Sequence, residues 1–407
     1  MSKPAALAVM TRMPWPLDDG GRIAQWQDLV SLERAWDVTL VVLSSSLDLT
    51  LPVPEAVRAR TREVIRVPHR PPWAVPALVS GLLGRWPYTL GRWHSRALSN
   101  ELRSVCARLR PQLCFFSNLH AATHLDACRE STTVLRAQNA ESEWMARFAS
   151  SRRNPLVAAY ARIQHGRLRS AERHLCESAD LVLAIQPLER NLLRSLAPRA
   201  RVECIPLGVD FARFEPRRLV SPPIVLLNGA FTWAPNVDGA LRFLREGWPA
   251  LHEQAPTARL RIAGKQPPKE LRRAASAAGV ELAADVPSMA VELAGASVLV
   301  VPLWTGGGAR VKIVEALAAS VPVVSTPLGA QGLELQPGTH VVEADEPAGL
   351  AREVASLLND PARASTLARA GHAFAAERFE LGRVAERFVA LCAEAVERGR
   401  AEGGSRP

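Results

Sequence analysis

The stretch VPLWTGGGARVKIVEALAASVPVVS (Val301–Ser325) decides how the chain is read. An apolar run leads into three consecutive glycines. A helix-like segment with Arg310, Lys312 and Glu315 follows, and a second apolar run closes the stretch. A near-continuous apolar run such as ASVLVVPL is a strand buried on both faces of a parallel sheet. Ligands of open α/β sheets bind beyond the carboxyl ends of the strands, which is where TGGG stands. Glycine lets backbone N–H groups approach an anion without side-chain hindrance, and the following helix turns its positive end to the same spot. At about 100° per residue, Gly308, Lys312, Glu315 and Ala319 fall on one helix face, with Val311, Val314 and Ala318 beside them. Lys312 is then placed to meet a phosphate, and Glu315 to accept hydrogen bonds from sugar hydroxyls. Arg310 points elsewhere on this wheel, toward Ile313 and Leu317, and is the weaker ligand contact. The competing reading is a tight strand–helix turn with a solvated Lys–Glu pair.

The same alternation extends in both directions. Apolar runs at AALAVMTRM (Ala5–Met13), DVTLVVL (Asp37–Leu43), REVIRVP, PQLCFF (Pro111–Phe116), TTVLR (Thr132–Arg136) and DLVLAI (Asp180–Ile185) are strands separated by helical segments, one of them over Ile23–Ala35. Strands alternating with helices build βαβ units and a parallel sheet. Around Arg201–Pro222 proline, glycine and charge gather, as in a linker. A second series then begins with PIVLLNG, a helix near Val237–Gln254, and strands at ARLRIAG, ASVLVVPL, VPVVST and HVVEAD. The segment from Pro361 to Arg400 reads as helical throughout, and must pack on its own domain or cross back onto the first. The expected class is α/β, with two Rossmann-like domains.

Composition narrows the function. A chain of 407 residues with 48% hydrophobic content supports two folded domains with sizeable cores. The net charge of +10 comes almost entirely from arginine, because lysine occurs only at positions 3, 265, 269 and 312. That excess suits anionic partners. With 5% aromatics and no basic block or recognised motif, nucleic acid is not the expected partner. The six cysteines (Cys106, Cys114, Cys128, Cys176, Cys204, Cys392) form no CxxC pair and read as free thiols of a reducing compartment, not as a metal site. The N-terminal apolar run is too short for a secretory signal, and no run reaches the length of a spanning helix. The expected location is cytoplasmic, with attachment to the inner membrane face as the further alternative.

The full string VVPLWTGGGARVKIVEALAASVPVVSTPLGAQGLEL closely resembles the C-terminal signature of family 4 glycosyltransferases of the GT-B fold, in a Gly-Gly-Gly-x-Arg-x-Lys-x-x-Glu form typical of polysaccharide-type sugar transferases. PWPLDDGGR, IPLGVDFARFEP, NGAFTWAPNVDGALRFLREGWPAL and LRIAGKQPP resemble other family segments in the same order. The resemblance implies two Rossmann-like domains facing each other across a cleft, an acceptor domain over 1–205, a nucleotide-sugar donor domain over 206–380, and a helix over 381–407 returning to the first domain. It implies a generally retaining, metal-independent transfer from a nucleotide-diphosphate sugar to a glycan or lipid-linked acceptor. No cofactor is expected, and the chain lacks an Asp-x-Asp triplet for a divalent cation. By position, Glu315 matches the ribose-binding glutamate, and Lys312 and Arg310 match a cationic pair near the diphosphate. Gly20 and Gly21 match a loop facing that diphosphate, and Leu328, Gly329 and Ala330 a loop beside the donor.

Two departures stand out. The family motif carries a second glutamate eight positions before the first, and here that position is Gly307. A basic residue often found after the first donor-domain strand is replaced by the region of Asn228 and Trp233. These departures keep two rivals in view: another GT-B nucleotide-sugar enzyme such as an epimerase, and a non-catalytic glycan- or membrane-binding protein with a decayed donor site.

In RAQNAESEWMARF, Gln138, Asn139 and Glu141 stand where similar proteins often read His-Asn-x-Glu. Glu141 is a candidate base or acceptor-orienting group, whereas Gln138 cannot exchange protons. The plainer reading is a helix start capped by Asn139. Asp18 and Asp19 either face an acceptor or shape a turn. His120 and His124, one helical turn apart, read as solvated or capping. The segment 71–96, with Trp73, Trp86 and Trp93 among arginines and apolar residues, suits either a membrane interface or a helix packed on the sheet.

Overall fold

The computed structural model describes residues 3–17, 20–150, 154–218 and 220–403. The chain divides into two compact units, Met1–Pro206 with Ala385–Pro407, and Leu207–Val384.

In the first unit, seven parallel strands form one sheet. They are β1 (Ala5–Met10), β2 (Asp37–Ser44), β3 (Glu63–Pro68), β4 (Leu113–Phe116), β5 (Thr132–Ala137), β6 (Leu181–Ala184) and β7 (Val202–Cys204), in the order β3-β2-β1-β4-β5-β6-β7. β1, β4, β5 and β6 are buried along nearly their whole length, as their uninterrupted apolar sequences require. Strand order reverses between β1 and β4, beyond Met10 and Phe116, the place where open α/β sheets take their ligands. Asn118 bridges the two ends there, donating from Nδ2 to Thr11 Oγ1 at 3.0 Å.

A buried ion pair crosses the sheet of this unit. Arg136 on β5 is only 1% exposed, and its Nε lies 3.3 Å from Asp28 Oδ1 on the helix Gly20–Ala35. The guanidinium also donates to the carbonyls of Ala184 and Ile205. Burial raises the Asp28 pKa to about 6 against the opposing pull of Arg136. The C-terminal helix closes over this region. Phe388 packs edge-on against Phe115 at 5.6 Å, and Arg201 pairs with Glu394 at 2.6 Å.

In the second unit, β8 (Ile224–Ala230), β9 (Arg259–Lys265), β10 (Glu281–Ala284), β11 (Val298–Val301), β12 (Val323–Ser325) and β13 (Val342–Glu343) form a parallel sheet in the order β10-β9-β8-β11-β12-β13. The reversal falls between β8 and β11. Gly229 pairs with Gly264 across β8 and β9, and a Cβ on Gly264 would lie 1.8 Å from the Gly229 carbonyl oxygen. Only glycine fits that contact.

Several expectations need correction. The supposed linker begins with an edge strand, since Val202–Cys204 pairs with β6. Strand β10 escapes a reading by apolar runs because Glu281–Ala284 is short and largely half-buried. The helix expected near Val237–Gln254 is present but starts at Ala234 and carries a π-helical stretch, Phe243–Gly247, between Ala234–Arg242 and Trp248–Gln254. The C-terminal segment is broken at Glu380. There the backbone is extended, Val209 N–H donates to Phe379 O, and Leu381 N–H donates to Val209 O. The Glu380 carboxylate then accepts from the N–H groups of Gly382 and Arg383, starting the last helix. The last helix runs over Leu381–Gly403, and its residues from Ala385 onward group with the first unit.

Candidate functional site

The glycine stretch occupies the carboxyl edge of the second sheet at its point of reversal. β11 ends at Val301, the exposed loop of residues 305–308 follows, and the helix Val311–Ala318 leads away from it. Gly306 and Gly308 have φ of 93° and 106°, backbone that side-chain-bearing residues rarely adopt. Gly306 also lies against Trp233, whose ring would come within 2.5 Å of a Cβ there. Gly307 differs from both. It is absent from the left-handed set, and a Cβ on it would meet nothing within 4 Å.

Lys312 is the centre of the arrangement. Its ammonium donates to the Asn228 carbonyl at 2.7 Å and to Asn236 Oδ1 at 2.8 Å. These bonds tie the helix after β11 to the end of β8. Asn236 is held in turn by donating from Nδ2 to Ala230 O at 2.9 Å. Gly229 makes room for this group, since a Cβ there would lie 2.8 Å from the Asn236 amide and 3.1 Å from Lys312 Nζ. Two bonds leave the ammonium one further hydrogen to donate. Burial lowers the Lys312 pKa to about 7, helped by the Arg310 charge and opposed by Glu315.

Glu315 lies one turn further on, its carboxylate without a hydrogen bond or ion pair among the described residues. Burial raises its pKa to about 7, against the pull of Arg213 and Lys312. Nearby, the buried Asn228 Oδ1 has no hydrogen-bond partner among the described residues. An unpaired buried oxygen beside a half-buried ammonium and an unengaged carboxyl marks an edge built to meet a polar ligand.

Arg310 makes contacts that the helical wheel does not show. It adopts a left-handed conformation (φ 52°) just before the helix, is buried, and donates to the carbonyls of Gly306, Gly307 and Leu328 at 2.9–3.1 Å. It therefore clamps the glycine loop to the Leu328 turn. Gly308 lies outside the helix, so the helical wheel does not extend to it. Gly329 donates to Thr326 Oγ1 at 3.0 Å and sits so close to Ser325 Oγ that a Cβ would approach it to 2.3 Å. Asn236, Gly229, Thr326 and Arg213 were missed by sequence reasoning. The pairing of Lys312 with Asn236 spans 76 positions and has no local signal.

In the first unit, Gly20 and Gly21 open the helix Gly20–Ala35 rather than forming a loop, and a Cβ on Gly20 would meet nothing. Asp18 and Asp19 lie outside the described residues. Gln138 donates to the Ser117 carbonyl at 3.1 Å and braces the end of β5 against β4. Glu141 and Ser142 begin a helix capped by Glu172, which accepts from their N–H groups at 2.7 and 3.0 Å. Asn139 is exposed and is not that cap. Burial, then the Glu172 charge, raises the Glu141 pKa to about 7, with Asn139 opposing. Glu141 is thus a carboxyl able to exchange a proton near neutrality.

Of the two histidines, half-buried His120 stands at the N-cap position of the 3-10 helix Ala121–Cys128, whereas His124 is not solvated. His124 is 1% exposed and its Nε2 accepts from Ser95 N–H at 3.0 Å. Burial lowers the pKa of both His120 and His124 to about 4.

Segment 71–96 divides in two. Trp86 and Leu90 pack inside, while the helix Ala74–Leu83 presents apolar side chains to solvent. Among the described residues, no helix is long and apolar enough to cross a membrane.

Comparison with known proteins adds to this geometry. Residues 222–360 match the family model described as Glycosyl transferases group 1, a span that contains Asn228, Lys312 and Glu315. The GDP-mannose-dependent alpha-(1-6)-phosphatidylinositol monomannoside mannosyltransferase of Mycolicibacterium smegmatis is 29% identical over 240 residues, or 52% of this chain and 62% of that relative. The chain thus spans less than two thirds of that relative's length. Among solved structures, sucrose-phosphate synthase from Thermosynechococcus elongatus aligns with TM-score 0.67 and 19% identity, covering 96% of this chain and 98% of that one. Anabaena HepE in complex with UDP aligns with TM-score 0.64 and 14% identity, covering 96% and 100%. The chain therefore has the α/β fold of the GT-B glycosyltransferases, and its residues 222–360 match the glycosyl transferases group 1 family.

Proposed function

We propose that this chain is a glycosyltransferase that moves a sugar from a nucleoside-diphosphate sugar to a glycan or lipid-linked acceptor, with retention and without a metal ion at the donor. The observation that carries this reading is the Lys312 ammonium, fixed by Asn228 and Asn236 at the reversal of the sheet, with Glu315 unengaged one turn away. A departing nucleoside diphosphate gathers negative charge, and Lys312 with the glycine-loop amides stabilises it. Glu315 accepts from the ribose hydroxyls and keeps the donor in register. Glu141 supplies a proton-exchanging carboxyl for the acceptor hydroxyl. The mannosyltransferase relative takes GDP-mannose, and structures of HepE hold UDP and UDP-glucose, so both bases belong in the test.

The lipid-linked acceptor is favoured by the surface of the first unit. Trp73 and Leu83 are 88% and 85% exposed, Val75 and Val79 lie outward between them, and Leu156 and Ile163 extend the apolar area. Arg85 and Arg167 border it, the latter donating to the Gly84 carbonyl. Apolar and aromatic side chains rimmed by arginine suit the face of an anionic membrane, here the cytoplasmic one.

Thermal-shift screening against UDP, GDP and their sugars, followed by product analysis with lipid and glycan acceptors, tests the reading. A shift with one nucleotide, lost in Lys312→Ala and Glu315→Ala, is expected. No shift with any nucleoside diphosphate would favour a non-catalytic binding protein. Turnover of the donor without an acceptor product would favour an epimerase.

A further inference from the structure

The sequence spacing of the cysteines hides a cluster in the first unit. Cys106 lies in the last turn of the helix Arg96–Leu109, Cys114 lies on β4, and Cys128 ends the 3-10 helix Ala121–Cys128. The three come from different elements, which is why no metal-binding spacing is visible in the sequence. Their sulfur atoms all lie within 4.8 Å of one another, and Cys106 Sγ and Cys128 Sγ are 3.6 Å apart. All three are free thiols. Cys114 and Cys128 are buried among apolar side chains, while Cys106 is half-buried and gives the cluster an opening.

We propose that Cys106, Cys114 and Cys128 form a binding site for one thiophilic metal ion, separate from the nucleotide-sugar chemistry. Thiolates select soft ions such as zinc or copper(I) over the hard cations that oxygen ligands hold. A zinc–sulfur bond of about 2.3 Å places the sulfurs of a three-thiolate site roughly 3.8–4.0 Å apart, within the range of this cluster. For zinc the balance is three thiols plus Zn²⁺ giving a tris-thiolate zinc anion and three protons, with no change of oxidation state. The fourth position is left to water on the half-open Cys106 side. Three ligands from a helix, a strand and a 3-10 turn would pin those elements together, so the site would brace the region behind β4.

The test uses the full chain, reduced and metal-free, under anaerobic conditions. Titration with Co²⁺ is expected to raise a thiolate-to-cobalt charge-transfer band that saturates at one ion per chain, and equimolar Zn²⁺ should erase it, because zinc binds such sites more tightly. Cys106→Ser, the variant least buried and least disruptive, should weaken Zn²⁺ binding at least tenfold, and Cys128→Ser should do the same. Cys204→Ser, outside the cluster, should bind as the unaltered chain does. The proposal is overturned if no charge-transfer band appears, or if Cys106→Ser binds Zn²⁺ unchanged. Circular dichroism of each variant guards against simple unfolding.

Discussion

If Lys312 meets the diphosphate, nucleotide binding must take up a proton. The Lys312 pKa of about 7 in the free protein reflects burial first and the Arg310 charge second. A single negative charge about 4 Å away contributes about 4 kcal/mol at an effective dielectric of 20, or roughly three pKa units. The pKa in the complex therefore rises to about 10. At about pH 8 roughly one free chain in ten carries the Lys312 proton, against nearly every complex, so binding takes up about 0.9 proton. Between about pH 7 and pH 9 the association constant should fall on the order of 50-fold. Calorimetry of UDP or GDP binding in buffers of different ionisation enthalpy measures the uptake directly. Glu315, raised to about 7 mainly by burial, titrates in the same range, but accepting from ribose hydroxyls favours its ionised form and gives proton release, of the opposite sign. Lys312→Gln separates the two, and should leave only the Glu315 release. If wild type and Lys312→Gln take up the same number of protons, Lys312 does not contact the phosphate.

The apo protein carries the opposite linkage. With its pKa depressed, Lys312 loses its proton earlier in the folded than in the unfolded chain. Its contribution to stability therefore rises with pH from about 7 to about 10.5, because the unfolded chain binds the extra proton there.

Other expectations follow from single contacts. Gly306→Ala should abolish nucleotide binding, because it combines φ 93° with a Cβ 2.5 Å from Trp233, whereas Gly307→Ala should change stability by no more than about 0.5 kcal/mol. Gly307→Glu should also fold normally, which thermal melting and nucleotide titration together will check. Arg136→Met should destabilise the first unit by about 3–5 kcal/mol in denaturant titration, because it strands Asp28 in the core. That loss should shrink as pH falls toward about 6, because without the Arg136 charge the buried Asp28 carboxyl takes up its proton at a higher pH than it does beside the guanidinium. Replacing Trp73 and Leu83 together by serine should remove binding to vesicles with anionic lipid, read by co-sedimentation, and leave nucleotide binding intact. Unchanged co-sedimentation would remove the membrane surface from the account.

Much of the fold is legible in the sequence because parallel strands buried on both faces must be apolar, as ALAVM, LCFF and VLVV are. What escapes is short or non-local. Strand β7 is three residues at a sheet edge and hides among charge and proline. The break at Glu380 leaves no composition change, because it depends on Val209 pairing with a residue far along the chain. In the site, the glycines and the shared face of Lys312 and Glu315 follow from local spacing. The loop contacts of Arg310 do not, since a helical wheel presumes a helix that begins before Arg310, and the backbone there is left-handed. The partners of Lys312 and the gathering of Cys106, Cys114 and Cys128 depend on which strands become neighbours, which no local pattern encodes.

The most direct test of the central claim is transfer of a labelled sugar from its nucleoside diphosphate to a lipid or glycan acceptor, compared between the unaltered chain and the Lys312→Ala and Glu315→Ala variants. The account predicts a glycosylated product with the unaltered chain and a loss of at least about 100-fold in each variant, corresponding to about 2.7 kcal/mol. Equal transfer by all three proteins would contradict it.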